Sequence, residues 1–122
     1  MKRDMDLIRQ LLLAGEADDP LSEASDPLAI PGVDARIVAR HVELLVEAGL
    51  MQANVISTDQ TGPVLAVFDR LTWSGHEFLD TARNDTVWRR SLAVVGEKAG
   101  TVSFEVLKLF LFAQAKAAIG IP

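Results

Sequence analysis

The stretch Arg70–Asp85, RLTWSGHEFLDTARND, decides how the rest of the chain is read. An apolar, strand-like run leads into it and a helix leads out. Thr72 is the natural N-cap, because its hydroxyl can accept from a free backbone N–H of the first turn. Gly75, Phe78, Leu79 and Ala82 then follow at i, i+3, i+4 and i+7, the spacing of one helical face. A strand entering Leu-Thr-x-x-Gly and an apolar helix is how the last wing strand of many winged-helix domains returns to the core. The stretch points to an architecture and carries no activity of its own.

Working back towards the N-terminus, Val64–Phe68 reads as a strand rich in β-branched and aromatic residues. Thr58–Pro63 (TDQTGP) reads as a turn, with Gly62 able to take φ > 0. A first strand runs from Leu50 and Met51 to about Ser57. Before it, Asp34 caps a helix over Ala35–Ala48 that Gly49 ends. Ile37, His41, Leu44, Leu45 and Ala48 form its apolar face with Val38 and Val42 beside them, and Arg36, Arg40, Glu43 and Glu47 lie opposite. The order is helix, hairpin, helix.

Asp4–Ala14 reads as an earlier helix with Met5, Leu7, Ile8, Leu11 and Leu12 on a broad apolar face and Gly15 as its stop. Between these helices, Glu16–Val33 holds five acids, no base, and Pro20, Pro27 and Pro31. Such a segment resists a long helix. Leu28–Ile30 suits a short edge strand between prolines. A metal or a basic partner suits the acidic loop, but a solvated connector is the favoured reading.

Downstream, Asn84 or Asp85 caps Thr86–Ala99, where Trp88, Leu92, Val95 and Ala99 make one stripe and Gly100 closes the helix. Ser103 caps a last helix, Phe104 to about Ile119, with Glu105 at the positive end of the dipole. That helix is apolar almost all round. Its polar strip holds little beyond Glu105, Lys108 and Lys116, with Phe112 in line with them. A helix apolar on every side needs cover on every side, which predicts that one flank meets a second subunit.

The fold class expected is therefore α+β, mostly α: a winged-helix-like core of helices and a hairpin wing over residues 1–83, with two C-terminal helices over 84–122. The chain of 122 residues is long enough for one domain. Cysteine is absent, which excludes thiol catalysis and disulfides and fits a reducing cytoplasm. Met-Lys-Arg at the start is followed by Asp4 and Asp6 with no apolar run, so no signal peptide is read. Lys108, Gln114 and Lys116 interrupt the most apolar stretch, which is too short to span a bilayer.

The blocks MKRDMDLIR, HVELLVEAGL, RLTWSGHEFLDTARNDTVW and SFEVLK run in order over most of the chain. In these the sequence resembles the bacterial and phage Domain of Unknown Function 2513 family. The resemblance implies a small winged-helix-like protein, often found in prophage or mobile-element settings. It implies no reaction, cofactor or catalytic residue. The very apolar tail, with Phe110, Leu111 and Phe112, departs from the charged helix that would be unsurprising there.

Three functional readings compete. For DNA, the helix before the hairpin is the usual reader of the major groove, and Arg36 and Arg40 sit near its N-terminal end. Against it, Arg40 can pair with Glu43, the turn has no base, and residues 34–70 hold three basic residues against five acidic ones. A net charge of −5 disfavours phosphate unless the bases gather on one face. A helix that would normally precede the reader is also missing or replaced by the acidic, Pro-rich loop.

For an enzyme, His76 and Asp80 stand four apart and suit a base with its orienting group. A helix-surface hydrogen bond is the favoured explanation, since no nucleophile or phosphate loop accompanies them. His41 and His76 alone make a thin metal site, and His41 on an apolar face reads as a satisfied core residue. No catalytic, cofactor or metal residue is assigned. For protein contact, Trp73, Trp88, Phe110 and Phe112 are candidate interface residues, since aromatic anchors near arginines such as Arg89 and Arg90 are enriched at interfaces. Cover by the terminal helices of its own chain explains Trp73 as well. The leading expectation is a non-enzymatic regulatory or assembly module. It self-associates through its last helix, with an unidentified protein partner and DNA binding as the alternative.

Overall fold

The computed structural model of the chain describes residues 1–17, 28–60, 62–99 and 103–121. Among these residues it is an α+β protein of five helices and one two-stranded antiparallel sheet. They form two compact units, Met1–His76 and Glu77–Pro122. The boundary falls within a helix.

In the first unit, helix α1 spans Met5–Ala17. Asp4 caps it, its Oδ1 accepting from Asp6 N–H at 2.9 Å and Leu7 N–H at 3.2 Å. Gly15 does not stop the helix. It lies buried inside it, and a Cβ there would come within 2.9 Å of the Phe68 ring. The glycine is the residue that lets α1 approach the second strand.

Helix α2 spans Ala35–Glu47 between Asp34 and a left-handed Gly49, φ +76°. Leu50 N–H reaches back to Leu45 O and Gly49 N–H to Val46 O, a glycine-terminated helix end. Its buried face is Val38, Ala39, His41, Val42 and Leu45. That face is rotated from the one expected: Ile37 is exposed, as is Ala48, and Leu44 is half-buried. Periodicity marks an apolar arc, but α1 and both strands pack on α2 and select which side of the arc they cover.

Strand β1, Met51–Thr58, pairs with β2, Gly62–Leu71. The ladder extends to Thr58↔Gly62, so the turn is tighter than TDQTGP suggested, with Gly62 at φ +70°. Register shifts between Gln52 and Ala53 and between Ile56 and Ser57 twist the ribbon. Leu28–Ile30 is not a strand; Leu28 N–H makes one bond to Ala66 O at 2.9 Å. The acids and prolines expected over 18–27 lie outside the described residues.

Helix α3 spans Trp73–Ala82. Thr72 Oγ1 accepts from Gly75 N–H at 3.0 Å and donates to Gly49 O at 2.6 Å, while Thr72 N–H donates to Leu50 O at 3.1 Å. One threonine thus caps α3 and ties it to the end of α2. Gly75 is required beside it, because a Cβ there would overlap the Leu50 carbonyl oxygen. Gly75, Phe78, Leu79 and Ala82 are all buried, the face expected from their spacing.

In the second unit, Asn84 caps helix α4, Asp85–Ala99, its Oδ1 accepting from Val87 N–H at 3.0 Å. Ser103 caps helix α5, Phe104–Ala118, accepting from Val106 N–H at 3.4 Å. The closure of α4 at Gly100 lies outside the described residues. Phe78 meets Trp88 edge-on, with ring centroids 6.3 Å apart, and Phe104 at 5.1 Å. Trp88, Ser91, Val95, Leu107 and Leu111 are buried. No described helix is long and apolar enough to cross a membrane.

Candidate functional site

Helix α5 separates into two apolar faces. Leu107 and Leu111 are fully buried. On the other side Val106, Leu109 and Phe112 are exposed, Leu109 by 68% and Phe112 by 56%. The outward face has charged ends. Glu105, Leu109, Phe112 and Lys116 follow at steps of four, three and four residues, one continuous stripe of an α-helix. The Lys116 ammonium lies 5.7 Å from the centre of the Phe112 ring, and the Lys108 ammonium 5.9 Å from that of Phe104. Both lysines thus lay their alkyl stems along the apolar surface.

The four candidate interface aromatics have different fates. Trp73, at the first position of α3, is 81% exposed. Phe112 is exposed on the stripe, and Phe110 is half-buried. Trp88 is a correction: it is 1% exposed, with its ring against Phe78, and is a core residue of the second unit. Its place on the regular stripe of α4 was the signal for burial. Leu109 was not singled out from the sequence, although its spacing from Glu105 and Phe112 places it on the same line. In a helix apolar all round, no local pattern says which flank the chain covers.

Arg36 and Arg40 are exposed on α2 but each is engaged by an acid. Arg36 Nε lies 3.4 Å from Asp34 Oδ1, and Arg40 Nη1 lies 3.2 Å from Glu43 Oε1. The Arg36 backbone N–H, and then its guanidinium, hold the Asp34 carboxyl below its ordinary pKa. Arg40 also reaches the hairpin turn beside Gly62. With Arg3, Glu43, Leu44 and Glu47 it lines a shallow groove of about 440 Å³ whose charges are mixed in sign.

The two histidines are placed differently. His41 is buried, Nδ1–H donating to Ile37 O at 2.8 Å and Nε2 accepting from Asp4 N–H at 2.9 Å. Both ring nitrogens are thereby used to hold the start of α1 on α2, and the neutral Nδ1–H tautomer follows from the two partners. His76 is exposed, and the Asp80 carboxylate is taken by Arg83 at 2.7 Å. A groove of about 530 Å³ in the second unit is lined by Asp80, Arg83 and Asn84, with Gln114 and alanines of α5. Asp80 there accepts from Arg83, and Asn84 is spent on its helix cap. Among the described residues, every buried side-chain nitrogen and oxygen has a hydrogen-bond partner.

Residues 2–101 match the family described as Hypothetical protein (DUF2513). The chain is also similar to an "Uncharacterized protein" of Haemophilus influenzae (strain ATCC 51907 / DSM 11121 / KW20 / Rd). The two are 36% identical over 108 residues, covering 88% of this chain and 90% of that one. No solved structure matches the chain.

Proposed function

The chain belongs to the DUF2513 family of hypothetical proteins, and we propose that it acts without catalysis, as a self-associating module whose contact surface is the outward face of α5. The observation that carries this reading is the exposure of Leu109 and Phe112 on a helix whose opposite face is already buried. Fully covering such side chains is worth roughly 1.5–3 kcal/mol each. A single helix pair is small beside the ~800 Å² per partner of a standard interface. Association costs also subtract from the gain. A weak dimer, dissociating between the micromolar and millimolar ranges, is the expected result.

Sedimentation equilibrium of the full chain tests this. The protein should pass from monomer to dimer with rising concentration. Leu109→Glu combined with Phe112→Glu should hold it monomeric with its helical circular dichroism unchanged. A wild-type chain that stays monomeric into the millimolar range overturns the reading.

DNA binding by a winged-helix-like first unit is the second reading, and one observation favours it. Arg36 and Arg40 are exposed in the N-terminal half of α2, the helix before the hairpin. It ranks lower because each guanidinium lies against a neighbouring carboxylate that phosphate would have to displace. Tight duplex binding, abolished by Arg36→Ala with Arg40→Ala, would reverse the ranking.

A further inference from the structure

Resting on the self-association reading, the charge pattern of the exposed stripe goes further and points to one geometry. We infer that two copies pair through α5 antiparallel, about a two-fold axis beside the Phe110–Leu111 peptide. The stripe Glu105, Leu109, Phe112, Lys116 is symmetric in position about that point. Antiparallel pairing therefore sets Glu105 against the partner's Lys116 and Leu109 against the partner's Phe112, each twice. Such a contact is isologous, the same patch meeting itself. The two charges stand about 16 Å apart along the axis, at 1.5 Å per residue, so the pairs close the two ends of the apolar contact.

The parallel arrangement is disfavoured by the same residues. It would bring Glu105 to the partner's Glu105 and Lys116 to the partner's Lys116, like charges at both ends. Glu105 makes no side-chain bond among the described residues, and Lys116 is held only against the Phe112 ring. Neither charge has to leave an ion pair within its own chain to form the new one.

Charge reversal in the full chain tests the register. Glu105→Lys turns both opposite-charge pairs into repulsive ones, and so does Lys116→Glu; each should dimerise roughly ten-fold more weakly than wild type. An equimolar mixture of the two variants restores both opposite-charge pairs in the heterodimer. Light scattering of that mixture should show far more dimer than either variant alone, at roughly half the wild-type association constant because only the mixed pairs are restored. The doubly reversed chain, Glu105→Lys with Lys116→Glu, should recover as well, although both changes oppose the helix dipole. A purely local effect on α5 stability predicts that the double variant is the worst of the set.

Equal dimerisation of all variants, or a mixture no better than its components, overturns the register while leaving self-association standing. A monomeric wild type overturns both. If a reversal unfolds α5, Glu105→Gln and Lys116→Gln replace it. Each neutral variant should weaken the dimer by less than ten-fold, and no weakening counts against the pairing.

Discussion

Gly75→Ala probes the joint by which the Leu-Thr-x-x-Gly stretch seats α3. A Cβ at this position would overlap the Leu50 carbonyl oxygen, and it would lie 3.0 Å from the Leu50 carbonyl carbon and 3.4 Å from its Cα. These are backbone atoms, so no side-chain rotation relieves the clash. Reaching an ordinary carbon–oxygen separation of ~3.3 Å requires the first turn of α3 to retreat by well over 1 Å. The same retreat stretches the Thr72 bonds to Leu50 O and Gly49 O. Overpacking costs ~1–3 kcal/mol, and each weakened hydrogen bond adds ~0.5–1.5 kcal/mol. The better helix propensity of alanine returns up to ~1 kcal/mol. The net expectation is a loss of about 2–4 kcal/mol. In a urea titration with an m-value of ~1–1.5 kcal/mol/M, the midpoint falls by about 1.3–4 M. Gly49→Ala is the comparison. Gly49 has φ +76° but nothing within 4 Å of an added Cβ, so only backbone strain of ~1–2 kcal/mol applies. A Gly75→Ala protein within about 0.5 kcal/mol of wild type would refute the close-approach account.

Three further perturbations test other parts of the structure. His41→Leu leaves Asp4 N–H and Ile37 O without their present partner; a loss of about 2–4 kcal/mol is expected in urea titration, with faster amide exchange at Asp4. Trp88→Ala should cost about 3–5 kcal/mol in thermal or urea melts, whereas Trp73→Ala should stay within ~0.5 kcal/mol; equal losses would contradict their opposite exposures. Asp34 has a depressed carboxyl pKa. Its contribution is therefore complete above the unfolded carboxylate value and drains away as pH falls through the lower folded value. Asp34→Asn, which can still cap α2, should remove that component from the acid limb of a pH-dependent melt, and an unchanged limb would count against it.

The seating of α3 was legible because its signals are local. Thr72, Gly75, Phe78, Leu79 and Ala82 announce a cap and a face within eleven residues. The caps Asp34 and Ser103, the hairpin and the satisfied core role of His41 were readable for the same reason. Gly15 was misread because glycine has two meanings in a helix, a terminator and a place of close approach. Phe68, more than fifty residues away, decides between them. The last helix was recognisable as needing cover on several sides. Its outward residue Leu109 was not, since every flank of α5 carries apolar side chains.

From sequence alone, then, follow the order of the helices and the hairpin, most of the residues that cap them, the helical period of each face and the kinship with the DUF2513 family. These depend on side-chain chemistry acting on backbone groups a few positions away. The rotation of α2 about its axis, the burial of Trp88 and the exposure of Trp73, and the side of α5 left exposed depend on which distant elements come to rest against each face. Burial is a property of neighbours in space, and an apolar residue carries the same driving force towards whichever surface reaches it first.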